Sequence, residues 1–167
     1  MTASLPDRRN VGIALFNAEG RVLIARRLRD DGPEVIYPGL DWQMPQGGID
    51  PDEDPRAAAF RELHEETGVT RADYLAETDG WMDYDFPPYA GPPHRLSVYR
   101  GQRQKWFALR LQEAETAIDV TRMHANEAVP EFGAWRWERL AAVPALVVPF
   151  RRAVYVRVAE AFARFAS

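Results

Sequence analysis

Apolar positions along this chain follow two different periods. Residues 10–16 (NVGIALF) and 21–27 (RVLIARR) are short runs dense in aliphatic side chains, separated by Asn17-Ala18-Glu19-Gly20. That arrangement predicts two strands joined as a hairpin. Residues 42–44 predict a short strand leading into Pro45-Gln46-Gly47-Gly48, and residues 74–86 an extended stretch. Residues 103–111 (RQKWFALRL) and 132–137 predict two further strands. The period turns helical in two places. Over residues 55–67, Asp54 supplies an N-cap, Pro55 the first helical position and Gly68 a left-handed stop. Near the end, Phe150, Val154, Val158, Phe162 and Phe165 form a stripe at helical spacing, which predicts a final helix packed on the core. Residues 28–40 and 87–93, rich in Pro, Gly or Asp, read as loops, and residues 140–147 as a short apolar stretch broken by Pro144. Strands alternating with two separated helices predict an α/β sandwich around a mixed β-sheet.

Composition narrows the picture. At 167 residues with 46% hydrophobic, the chain is expected to form one domain, residues 1–167, around one core. The absence of cysteine excludes disulfides and thiolate metal sites and fits a reducing cytoplasm. No secretion signal opens the sequence, and no apolar run approaches the roughly 20 residues that span a bilayer. The expectation is a cytoplasmic protein with no membrane partner, and a monomer because no apolar face is left over. A net charge of −4 argues against binding along an extended nucleic-acid backbone. It leaves room for a nucleotide or an RNA end if divalent cations reverse the sign locally.

The helix over 55–67 carries the chemistry. On a wheel of about 100° per residue, Glu62, Glu65 and Glu66 fall within an arc roughly 100° wide, with Phe60 and Leu63 projecting elsewhere to anchor the helix. Three carboxylates on one face repel one another, by a few tenths of a kcal/mol for the Glu62/Glu66 pair alone on an exposed helix. A solvated acidic face is the plain alternative. The spacing favours a missing cation.

Read as G-x5-E-x7-R-E-U-x-E-E-x-G-U, the segment fills every fixed position with Gly47, Glu53, Arg61, Glu62, Leu63, Glu65, Glu66, Gly68 and Val69. It resembles the box of the Nudix hydrolases, a loop-helix-loop that binds divalent metal and cleaves phosphoanhydrides. The resemblance implies that Glu62, Glu65 and Glu66 hold the metal, helped by the Gly47 carbonyl, and that Arg61 pairs with Glu53 to fix the loop. The implied cofactor is a hard divalent cation, magnesium first, with manganese or zinc as alternatives. Glu62 is the first choice as proton acceptor and a carboxylate outside the box the second.

Four further segments resemble the bacterial RNA pyrophosphohydrolase and dinucleoside polyphosphate hydrolase group. They are Arg8 to Ile13, Trp42 to Ile49, Gly101 to Phe107, and Pro130-Glu131-Phe132 running on to Trp137; the ending from Val147 to Tyr155 is similar too. Carried over by position, Glu131 is a further metal ligand or base. Arg8 and Arg27 meet 5′ phosphates or the terminal nucleotide, and Lys105 either joins them or faces solvent. Phe150 and Arg151 form a stacking and cationic pair, with core packing the alternative for Phe150. Tyr84 and Trp81 are additional aromatic candidates, while Trp106, Trp135 and Trp137 are expected in the core. Two features depart from the group: residues 28–40 insert Asp30-Asp31-Gly32-Pro33-Glu34, and Asp83 and Asp85 flank Tyr84. Both are expected to add negative charge near a polyanion site. The resemblance implies a metal-dependent pyrophosphohydrolase acting on 5′-triphosphorylated RNA and on dinucleoside polyphosphates. A dedicated dinucleoside polyphosphate hydrolase and, more remotely, a non-catalytic nucleotide-binding module are the alternatives.

Overall fold

The computed structural model describes residues 5–28, 32–34, 36–122 and 129–167; Asp30 and Asp31 of the inserted loop lie outside these. Its elements run β1 (Asp7–Phe16), β2 (Val22–Arg27), β3 (Trp42–Gln43), β4 (Gln46–Gly48), α1 (Pro55–Thr67), β5 (Ala72–Glu77), β6 (Met82–Asp85), β7 (Gly101–Leu111), β8 (Phe132–Glu138) and α2 (Arg152–Ala161). The sheet is mixed, in the order β3-β2-β1-β7-β5, with β4 on β1, β6 on β7 and β8 on β2. Among the described residues only β1 and β7 pair in parallel, from Asp7↔Gly101 to Phe16↔Arg110, which binds two distant parts of the chain together.

The expected hairpin forms at its turn. Asn17 Oδ1 accepts from the N–H groups of Glu19 and Arg21, and Gly20 takes φ 78°. The strands then part: β1 meets β2 at Phe16↔Val22, turns to β4 over residues 10–12, and leaves β2 to pair with β8. This divergence opens the sheet where β4 enters. Residues 46–48 are therefore a strand rather than loop. The stretch over 74–86 divides into β5 and β6, and the 3₁₀ helix Leu140–Leu146 winds through Pro144 instead of breaking there. Proline's fixed φ is compatible with that winding.

Each face of the sheet has its own apolar layer. On one, Val154, Tyr155 and Val158 of α2, with Phe162 beyond it, pack on Ala14, Phe16 and Trp106. On the other, Ala58, Ala59 and Leu63 of α1 pack on Val11, Ile13 and Phe107. Gly12 is required here, because a Cβ would stand 2.3 Å from the Trp106 ring. Phe150 and Phe165 of the terminal stripe are partly buried against the first layer, and Trp135 and Trp137 against the second.

Candidate active site

Helix α1 begins and ends as its sequence dictates. Asp54 accepts a hydrogen bond from Ala57 N–H at 3.1 Å, and Gly68 closes the helix at φ 79°. The small residues Ala58 and Ala59 let it lie close on the sheet. Glu62 and Glu66 are buried along with Ala58, Ala59 and Leu63, so these two carboxylates flank the packed face instead of opposing it. Glu65 is further out, its side chain 37% exposed.

Arg61 ties the loop to the helix. Its Nε and Nη2 each donate to Glu53 at 2.8 Å, and Nη2 also donates to the Gly48 carbonyl at 2.8 Å. Nη1 reaches Glu62 at 3.0 Å and Glu65 at 3.1 Å. The bidentate bond from Arg61 holds the Glu53 carboxyl down at about 2. Glu62 moves the other way: burial pushes it up to about 7, against the lowering effect of Arg61. Glu66 is raised too, first by burial and then by the nearby charges of Glu131 and Glu62.

Glu62, Glu65, Glu66 and Glu131 line a cleft of about 240 Å³ with Gly47, Gly48, Arg8, Asn10, Gln46, Gln102, Arg95 and Glu34. The glycine pair seats one charge of each sign. A Cβ on Gly47 would lie 2.0 Å from the Glu62 carboxylate, and one on Gly48 2.4 Å from Arg8 Nη2. Arg8 has its pKa lowered, by burial first and then by Arg95. Below the cleft runs a chain of buried amides. Gln104 Nε2 donates to Asn10 Oδ1 at 2.8 Å and to Gln46 Oε1 at 3.2 Å; Trp106 Nε1 donates to Gln104 Oε1 at 3.1 Å. Gln46, fixed in this way, donates its backbone N–H to Glu66 at 3.2 Å.

Of the residues expected at the site, Glu62, Glu65, Glu66, Glu131, Gly47 and Arg8 line the cleft, with Arg61 and Glu53 behind it. Others do not line it. Lys105 is ion-paired with Glu77 at 2.9 Å on β5, because alternation along β7 puts Gln102 and Gln104 on the cleft side and Lys105 on the other. Tyr84 is 6% exposed, its hydroxyl accepting from Gln46 Nε2 at 3.4 Å. Tyr84 packs on Phe150 at 5.7 Å between ring centroids, and Arg151 lies over both rings. Arg151 and Arg27 are buried beside this group. Asp83 and Asp85 do not charge the cleft: they point out of β6, facing Arg103 at 3.9 Å and Arg100 at 3.3 Å. Glu34 of the inserted loop does reach it. Asn10, Gln46, Gln102 and Arg95 went unassigned in the sequence. Asn10 carried a signal, as a polar residue at the head of a run that otherwise reads as strand; Gln46, Gln102 and Arg95 carried none.

Residues 6–158 match the NUDIX domain. The chain belongs to the NUDIX family. An RNA pyrophosphohydrolase of Acidiphilium cryptum is 51% identical over 163 residues, covering 98% of this chain and 94% of that protein. One from a Bradyrhizobium species is 50% identical, covering 97% and 95%. Among solved structures, the MutT protein of Methanosarcina mazei superposes with a TM-score of 0.65 at 17% identity, covering 96% of this chain and 98% of that one. An Ap4A hydrolase of C. elegans superposes at 0.60 with 18% identity, covering 94% and 98%. At those identities the likeness is one of fold.

NUDIX hydrolases use divalent metals. The donor set here fits one: oxygen ligands only, two of them carboxylates that burial holds above their usual range. Among the described residues no three acidic or histidine side chains already converge as a cage, since Arg61 Nη1 engages both Glu62 and Glu65. A cation would draw those carboxylates from Arg61.

Proposed function

We propose that this NUDIX protein is a metal-dependent pyrophosphohydrolase that removes pyrophosphate from the 5′-triphosphate end of RNA, initiating mRNA decay, and also cleaves dinucleoside polyphosphates. The observation that carries the reading is the buried carboxylate pair Glu62 and Glu66, set beside Gly47 in a polar cleft. Near-full-length similarity to proteins named RNA pyrophosphohydrolase supports the substrate.

In this reading Glu62, Glu65, Glu66 and Glu131 hold the cation with the Gly47 carbonyl. When bound, the metal acidifies water and offsets charge on the phosphates and the leaving group. Magnesium is the expected ion, with manganese or zinc able to replace it. Arg8 and Arg95 line the same cleft and bind phosphate oxygens, while Gly48 keeps the space that Arg8 needs. A water oxygen attacks phosphorus, the P–O–P bridge breaks, and the water proton passes to a carboxylate. Glu62 is the first choice for that acceptor and Glu131 the second. Arg61 and Glu53 act as positioning residues. Phe150 and Arg151 sit beside the cleft as the platform for a base and its phosphate. Among the described residues no helix is long and apolar enough to cross a membrane; a cytoplasmic monomer of one domain fits this reading.

A dedicated dinucleoside polyphosphate hydrolase is the second reading, favoured by the extra carboxylate that Glu34 brings to the cleft. Rates on a short 5′-triphosphorylated RNA and on diadenosine tetraphosphate, side by side with magnesium, separate the two. The RNA should turn over at least as fast. A dinucleotide rate higher by ten-fold or more would reverse the order.

A further inference from the structure

Arg27 and Arg151, the two arginines expected to meet phosphate beyond Arg8, do not line the cleft; Glu34 does. This one residue engages both. Arg27 Nη2 donates to its backbone carbonyl at 2.6 Å, and Arg151 forms an ion pair with its carboxylate. Arg151 is 1% exposed. Its Nη1 donates to Gln43 Oε1, and its buried Nε has no hydrogen-bond partner among the described residues. A guanidinium as buried as that of Arg151 needs an anion, and the Glu34 carboxylate supplies two oxygens and one charge. A phosphate brings more oxygens and more charge, and arginine forks match it. The cleft is also crowded with acid: Glu34, Glu62, Glu65, Glu66 and Glu131 stand against Arg8 and Arg95.

We propose that Glu34 is a resident stand-in for a substrate phosphate, and that a polyphosphate gains Arg151 by turning the Glu34 carboxylate off it. Glu34 is then a specificity determinant. Ligands with several phosphates displace it, and a monophosphate end, with less charge, competes poorly and leaves. This rests on the hydrolase reading but is separable from it, because binding can be followed without turnover.

The test is calorimetric titration of inorganic tripolyphosphate into the full chain in EDTA. Glu34→Gln should tighten the dissociation constant about ten-fold. Glu34→Asp, which keeps the charge but shortens its reach, should shift it in the same direction. Adding Arg151→Gln to Glu34→Gln should abolish the gain, with thermal melts verifying that each variant is folded. An unchanged or weaker affinity in both Glu34 variants would overturn the proposal, since Glu34 would then organise Arg151 instead of occupying it. A gain that survives Arg151→Gln would also overturn it, leaving only general charge repulsion. Failure of the wild type to hydrolyse RNA or dinucleotides would sink the functional reading and leave this binding result intact.

Discussion

At the scale of single residues, the site turns on how Arg61 and its neighbours share charge. Arg61 spends its donors on Glu53, Gly48, Glu62 and Glu65, so the loop, the helix and two proposed metal ligands are all referenced to one planar group. Lysine cannot reproduce that fork. Arg61→Lys should lower the denaturant midpoint by an amount equivalent to roughly 2 kcal/mol and cut kcat more than it raises KM. Equal stability and turnover would mean that the contacts are incidental. Glu66→Gln separates function from fold in the other direction. It removes a buried charge while keeping its shape, so in EDTA the protein should melt higher than wild type even as turnover falls by about a hundred-fold or more. The box residues were legible in the sequence because fixed spacing on a helix fixes direction. Lys105 and Tyr84 were not, because the side a strand residue faces depends on parity and register. Those are set by the β1–β7 pairing, which no local pattern announces.

At the scale of elements, two glycines on adjoining strands do different work. Gly47 on β4 makes room for the Glu62 carboxylate, and Gly12 on β1 makes room for the Trp106 ring. Gly47→Ala should spare the fold and weaken manganese binding, measured by paramagnetic titration, by ten-fold or more. Gly12→Ala should lower stability by about 1–3 kcal/mol, as overpacking does. The reverse pattern would mean that the two roles are misassigned. The extent of α1 was readable from Asp54, Pro55 and Gly68. The strand over residues 46–48 was not, since Gln46-Gly47-Gly48 has low strand propensity and is held by pairing with β1.

Across the whole molecule, burying acid without its cation should make stability depend on pH. Glu62 rises from 4.5 to about 7 on folding, so it stabilises the folded state below the unfolded value and loses that contribution as pH climbs toward 7. Glu66 shifts in the same direction. Glu53, lowered to about 2, acts between about 2 and 4.5, below this window. In EDTA the melting temperature should therefore fall between about pH 5 and pH 8, by the equivalent of roughly 3 kcal/mol from Glu62 alone. Manganese should restore it at the upper end, where the ligands are deprotonated. A flat profile in EDTA would contradict the burial argument. The α/β layering was legible in the alternation of strands and helices. The divergence of β1 from β2, which admits β4 and so makes the cleft, is a product of long-range pairing. It had no signature in either strand.

The central claim is that the acidic flank of α1 holds divalent ions against a phosphoanhydride. Anomalous diffraction from crystals grown with manganese and a non-hydrolysable triphosphate tests it most directly. The predicted result is manganese density between Glu62, Glu66 and the Gly47 carbonyl, touching the phosphates. Density elsewhere, with these carboxylates still turned to Arg61 and Gln46, would contradict it.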